Sequence, residues 1–190
     1  MDIRAALRSE QQNVMDTLAL AFANDPPIRY WWPRASEHLY WWPRFALARG
    51  ERGFDAQSVM VTPNFEGVAM WMPPGVEADP AQVEALNMPS DEEGDRIAGD
   101  LRDEMERFHP TAPHWYLWAL GVDPRYQGRG IGAALLRHTL AHIDQRHEMA
   151  YLESSDPKNV PFYQRHGFEA LGVIQVHDVP PLTPMIRPAR

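Results

Sequence analysis

The sequence predicts a single α/β domain built on a mixed sheet, and three observations carry that prediction. Two strand candidates near residues 58–62 and 67–72 are joined by a tight turn and so run antiparallel. Further on, an apolar strand candidate enters a glycine-rich loop, then a helix, then another strand, a β-loop-helix-β unit that mixes strand types in one sheet. No linker divides the chain, and 190 residues suit one domain with its own core.

The elements follow in order. Residues 9–24 read as a first helix, with Ser9 placed to cap it and Val14, Leu18, Ala21 and Phe22 recurring at helical spacing. Asn24-Asp25-Pro26-Pro27 stops it, because proline lacks the N–H that the helix ladder needs. A pentapeptide then occurs twice, Tyr30-Trp31-Trp32-Pro33-Arg34 and Tyr40-Trp41-Trp42-Pro43-Arg44. Two copies are too few for a solenoid. They read either as aromatic anchors packed on the sheet or as an aromatic wall beside a pocket, since clustered Trp offers apolar surface and faces that attract cations. Pro73-Pro74-Gly75 ends the second hairpin strand. Residues 76–110 are acidic and helical in pattern, with Ser90-Asp91-Glu92-Glu93 as a capping start and Ile97, Leu101, Met105 and Phe108 as an apolar stripe. Residues 115–122 form the apolar strand, 131–146 a helix with Leu136, Leu140 and Ile143 at core spacing, and 150–154 the next strand. A short helix over 160–166 ends at Gly167, and residues 169–177 and 183–187 are predicted to close the sheet as an antiparallel pair across a stiff proline-rich loop.

The composition narrows the function. A net charge of −8 argues against a nucleic-acid partner and favours a cationic or neutral small substrate, although such a charge also serves solubility. No apolar run reaches the roughly 18 residues of a membrane span, and the first residues carry no secretory pattern. The absence of cysteine removes disulfides, thiolate nucleophiles and cysteine metal sites, and fits a cytoplasmic protein. His138 and His142 share a helical face but lack the glutamate of a zinc-helix motif, so they read as a solvated face and no metal is expected.

The chemistry concentrates in Gln127-Gly128-Arg129-Gly130-Ile131-Gly132-Ala133, where a strand turns into a helix. Unpartnered backbone N–H groups converge at such a junction, the helix dipole adds positive potential, and glycines let the backbone approach phosphate oxygens. Arg125 and Arg129 add charge-assisted contacts. The same residues fit a dinucleotide-binding fingerprint, with Glu148 or Glu153 at ribose distance, but a five-residue spacer precedes the first glycine and too little chain follows for a doubly wound sheet.

A second segment, Asn159-Val160-Pro161-Phe162-Tyr163-Gln164-Arg165-His166-Gly167-Phe168, stands downstream. Together the two stretches resemble the GNAT superfamily of N-acetyltransferases, through its R/Q-x-x-G-x-G/A and N-x-x-F-Y-x-x-x-G-F patterns. Residues 152–163 are also similar to the corresponding part of the puromycin N-acetyltransferases. The resemblance implies a GNAT-type sheet, mostly antiparallel and splayed between its fourth and fifth strands, flanked by helices. It implies acetyl-CoA as co-substrate. Leu120, Gly121 and Val122 would meet the pantetheine arm, and Arg125, Gln127, Gly128, Arg129, Gly130, Ile131, Gly132 and Ala133 the pyrophosphate. Asn159 would bond the pantetheine, Phe162 would pack beside it, and Tyr163 would protonate the departing thiolate.

The chemistry is consistent with that role, since a phenol with an ordinary pKa near 10 can donate to a sulfur whose thiol pKa is about 8.5. Some family members carry a glutamate base on the strand before the loop, but Tyr116 stands there. Glu153 is the first substitute, with His114, Glu66 or a water chain behind it. Trp31, Trp32, Trp71 and Tyr116 are expected to line the acceptor side. The expected acceptor is a small-molecule amine. A protein lysine or N-terminus, acetyl-CoA sensing without turnover, and nicotinamide-dinucleotide binding are the alternatives, in a monomer or homodimer.

Overall fold

A computed structural model describes residues 1–190. The chain opens with a short strand β1 (Arg4–Ala5), which the sequence reading missed, and helix α1 (Gln11–Ala21). Ser9 does not cap α1. It sits in a 3-10 turn (Arg8–Glu10), where the Glu10 carboxylate accepts the Leu7 N–H at 2.8 Å and grips both Arg4 guanidinium nitrogens at 2.7 Å. α1 ends at Ala21, ahead of the prolines expected to stop it, and these instead start α2 (Pro26–Trp31): proline tolerates the first helical turn, and the Asp25 carboxylate caps it through the Ile28 N–H at 3.1 Å.

Helices α3 (Ala35–Gly50) and α4 (Arg52–Asp55) lead to the hairpin strands β2 (Val59–Val61) and β3 (Gly67–Met72). The repeated pentapeptide is not a structural repeat. Its first copy ends α2 and breaks at Pro33, whereas the second lies inside α3 with Pro43 within the helix. The acidic stretch forms α5 (Pro80–Glu84) and α6 (Glu92–Phe108). Asp91, not Ser90, caps α6 by accepting the Gly94 N–H at 2.8 Å.

The β-loop-helix-β unit follows as β4 (His114–Val122), α7 (Ile131–Gln145) and β5 (Met149–Ser154), then α8 (Val160–Gln164), β6 (Glu169–Ala170) and β7 (Thr183–Arg187). The closing pair is shorter than predicted, because β6 spans two residues and only an isolated Ile174–Leu182 bridge continues it. The sheet order is β1-β2-β3-β4-β5-β7-β6. Every pairing is antiparallel except β4–β5.

That parallel pairing is brief. His114, Trp115 and Tyr116 face Met149, Ala150 and Tyr151, and the two strands then part. β4 meanwhile keeps its pairing with β3 out to Val122, so beyond Tyr116 its β5 side is open. A register shift adds one residue to β4 opposite Met70/Trp71, which leaves Trp118 and Ala119 on the same face. One face of the sheet packs Ala69, Trp71, Trp115 and Leu117 against α7 and α8, and the other packs Val68, Met70 and Ala119 against α1 and α3. No helix is long and apolar enough to cross a membrane.

Candidate active site

The site is built around the opening between β4 and β5. Leu120, Gly121 and Val122 lie on the stretch of β4 that pairs with β3 and is open on its β5 side. Gly121 has a packing reason to be glycine: a Cβ there would stand 2.7 Å from that of Ala21, so α1 lies directly against the strand. At the N-terminus of α7, Gly128 and Gly130 adopt φ of 74° and 79°, the left-handed region that glycine enters freely. The backbone N–H groups of residues 127–133 find no acceptor within the protein, and the first intrahelical bond runs from Ala134 to Gly130 at 3.0 Å. A row of free amides at a helix start is the geometry that favours an anion.

The side chains around this loop divide by role. Gln127 turns back to the Val122 carbonyl at 3.1 Å, bracing the loop. Arg129 donates to the Arg125 carbonyl at 3.1 Å, and Arg125, largely exposed, pairs with Asp123 at 3.2 Å. Ile131 points into the core, so its backbone alone faces the loop. A Cβ on Gly132 would lie 3.6 Å from Val122 and 3.8 Å from Phe162, which brings the open strand, the helix start and α8 together. Ala133 follows in the first turn of α7, and Asn159 stands exposed at the N-terminus of α8.

Tyr163 is buried on α8, edge-on to Phe162 and Phe168. Burial, and then the nearby negative charge of Asp25, raise its phenol pKa well above the ordinary value. Asp25 was not read as a site residue. Besides capping α2, its carboxylate accepts a hydrogen bond from the Ser155 hydroxyl, which ties the α1–α2 junction to the end of β5.

On the sheet face towards α3 the structure gathers a second group. The Tyr116 hydroxyl donates to Glu153 Oε2 at 2.7 Å, and Glu153 is only 5% exposed. Burial, and then Glu153, push the Tyr116 phenol far up its scale, so it stays a donor. Tyr116 continues through Trp118, Phe45 and Trp32 as aromatic neighbours with ring centroids 6.2, 6.0 and 5.8 Å apart. Trp32 and Tyr116 therefore share one wall. Trp31 packs on Tyr30 instead.

Trp71 is a correction. It is fully buried on the α7 face, edge-on to Trp115, because the β3 alternation turns it away from α3. Glu66 is another: its carboxylate is held in the hairpin turn by Thr62 at 2.6 Å and Asn64 at 3.1 Å. His114 does reach the Glu153 group, but through His109, a residue the sequence pattern does not single out. His138 and His142 are exposed, as expected of a solvated face. The dinucleotide reading loses its ribose partners, since Glu148 holds the Trp115 indole at 2.6 Å and Glu153 holds Tyr116, and the sheet is not doubly wound.

Comparison with known proteins agrees with this geometry. The model of the acetyltransferase (GNAT) family matches residues 77–168. Among solved structures, a Corynebacterium glutamicum protein named histone acetyltransferase HPA2 and related acetyltransferase is 28% identical. It has a TM-score of 0.64 and covers 99% of this chain and 96% of its own. Arylalkylamine N-acetyltransferase 2 of Aedes aegypti, at 14% identity, has a TM-score of 0.70 and covers 100% and 99%. An uncharacterized N-acetyltransferase of Schizosaccharomyces pombe is 27% identical over 68% of this chain. A mycothiol acetyltransferase of Propionibacterium freudenreichii is 31% identical over 40% of it. The matches span 59% and 27% of those two curated relatives. The fold is the GNAT fold, and the family model matches the part of the chain that holds the β4–β5 opening, the start of α7 and α8.

Proposed function

We propose that the protein transfers the acetyl group of acetyl-CoA to the amine of a small molecule, by direct attack on the thioester. The observation that carries this reading is the parted β4–β5 pair with the unclaimed amides of residues 127–133 at its mouth and α8 beside it. A pantetheine arm fits the open edge of β4 as a substitute strand along Leu120, Gly121 and Val122, with Phe162 and Asn159 alongside. The pyrophosphate takes the free amides as a cradle, with the flanking Arg125 and Arg129.

The reaction then follows from the groups present. The amine nitrogen bonds to the thioester carbon, and the oxyanion is steadied by backbone N–H groups of the open strand. The C–S bond breaks, Tyr163 gives its proton to sulfur, and Glu153 takes the proton released by nitrogen. The wall from Trp32 to Tyr116 suits an aromatic or cationic amine. Neighbours of the same fold include proteins named for arylalkylamine, agmatine and polyamine acetylation, at 12–19% identity.

A thiol-release assay with acetyl-CoA against tyramine, spermidine, an aminonucleoside and short peptides tests the reading. The likeness of residues 152–163 to puromycin N-acetyltransferases is the reason for the aminonucleoside. A small amine is expected to turn over fastest. Acetyl-CoA binding without thiol release from any amine would replace the enzyme by a sensor.

Two substitutions separate the halves of the site. Gly130→Ala forces a side chain into the left-handed region, at about 1–2 kcal/mol, yet its Cβ meets no protein atom within 4 Å. Acetyl-CoA affinity, measured by calorimetry, is expected to fall roughly tenfold, and an unchanged affinity counts against the cradle. Trp32→Ala is expected to raise the acceptor KM several-fold, in the range of about 1 kcal/mol for a partly buried aromatic contact, and to leave the acetyl-CoA KM alone. The reverse pattern would move Trp32 out of the acceptor pocket.

A further inference from the structure

We propose that His109 is a positioning partner of Glu153 that takes up the proton Glu153 removes from the acceptor amine, so that the Glu153–His109–His114 group forms a proton exit from the buried site. The inference rests on Glu153 as the base in the reading above.

The ring is held in place by its surroundings. His109 is the first residue beyond α6, extended because Pro110 follows, and its N–H still bonds to the Met105 and Glu106 carbonyls. Its imidazole lies edge-on to His114, Tyr151 and Tyr116, with centroids 4.7, 4.9 and 5.1 Å away. It is clamped between α6, β4 and β5.

Hydrogen-bond logic then assigns the protons. His114 Nδ1 lies 2.8 Å from the Ala112 carbonyl, which only accepts, so that nitrogen carries a hydrogen. Burial lowers the His114 pKa and keeps the ring neutral, which leaves its Nε2 bare. The Nε2 of His109 is 3.0 Å from it and must donate. A neutral His109 therefore turns a bare Nδ1 towards Glu153 Oε1 at 3.8 Å. That oxygen is buried and has no hydrogen-bond partner, while Oε2 is occupied by Tyr116. Two lone pairs face each other, and the contact becomes favourable when one proton enters it.

The group is thus a ready place for the proton that acetyl transfer liberates. Glu153 gains it from the amine as a carboxylic acid. Once the 3.8 Å gap closes to hydrogen-bond distance, which the new O–H proton favours, the O–H bond breaks as an N–H bond forms at His109 Nδ1, and the carboxylate is restored. Glu153 is 5% exposed and His109 36%, so the proton moves outward, and water at the exposed edge of the imidazolium takes it. The other titratable or charged groups facing His109 and Glu153 are His114 and Tyr116 from β4, Tyr151 from β5 and, near Tyr116, Arg49 from α3. Burial raises both phenols first and Glu153 second, so neither loses a proton in competition.

The test has an acceptor-free arm and a kinetic arm. In the wild-type protein, 15N-histidine NMR is expected to find neutral His109 protonated at Nε2 and His114 at Nδ1. Protonation of neutral His109 at Nδ1 overturns the proposal. With the fastest amine of the panel, His109→Ala is expected to lower kcat about tenfold or more and to leave the acetyl-CoA KM unchanged. Added imidazole should restore part of the rate, because the ring edge reaches solvent. Glu153→Gln should be impaired and gain nothing from imidazole. Wild-type kcat in His109→Ala beside an impaired Glu153→Gln overturns the exit and leaves the base standing, whereas wild-type kcat in Glu153→Gln overturns the base itself. If His109→Ala does not fold, His109→Gln is used. A loss there that imidazole does not restore in either variant marks His109 as a packing residue and overturns the proposal.

Discussion

Tyr163→Phe is expected to lower kcat by about 10²-fold or more, with acetyl-CoA affinity unchanged. The substitution removes one oxygen and keeps the ring that packs on Phe162 and Phe168, so the core under α8 survives. What would disappear is the proton that the proposed mechanism gives to the departing thiolate. The structure adds a pH signature. Burial and Asp25 raise the phenol pKa, so the proton-bearing form persists through and above the ordinary range. Wild-type kcat is therefore expected to show no alkaline loss from this acid up to about pH 10, the unperturbed phenol value. A descending limb centred below that value, or full activity in Tyr163→Phe, would remove Tyr163 from proton donation. Rates with the panel amine across pH, beside calorimetric acetyl-CoA affinity, provide the measurement.

Trp71→Ala is expected to act on stability, by about 3–5 kcal/mol in urea unfolding. The side chain is fully buried against Trp115 on the α7 face of β3, and its removal leaves a cavity in that core. A loss of that size is a large share of a typical domain's 5–15 kcal/mol. Trp32→Ala, by contrast, belongs to acceptor kinetics. If Trp71→Ala cost under about 1 kcal/mol and raised the acceptor KM, the residue would return to the pocket.

The contrast between these two tryptophans shows which parts of the site were legible. The free amides at the start of α7 were legible because the pattern is local: the strand end at Val122, the glycines from Gly128 and the helix start at Ile131 follow one another along a single loop. The Asn159–Phe168 segment was readable for the same reason. The faces of β3 and β4 were harder. Trp71 sits in a run whose six residues are all buried, so alternation gave no inside and outside. The extra residue in β4 then reversed the side on which later residues fall. The two copies of the pentapeptide take different places because identical side chains meet different backbones, one at a helix end and one within a helix, although Trp32 and Trp42 both pack on the same core. His109 and Asp25 were invisible for another reason. Each lies at a helix boundary, and its partner, Glu153 on β5 or Ser155 just beyond it, comes from far along the chain.

The brief β4–β5 pairing has a mechanical meaning. Three facing residues stitch two plates, β1–β4 and β5–β7–β6, and beyond Tyr116 the plates diverge like the lips of a notch. A notch concentrates deformation at its root, and here the root carries Tyr116 beside Tyr151, with Glu153 two residues further along the departing strand. A guest strand lying in the notch would act as a splint, stiffening the seam at the place where the chemistry is proposed.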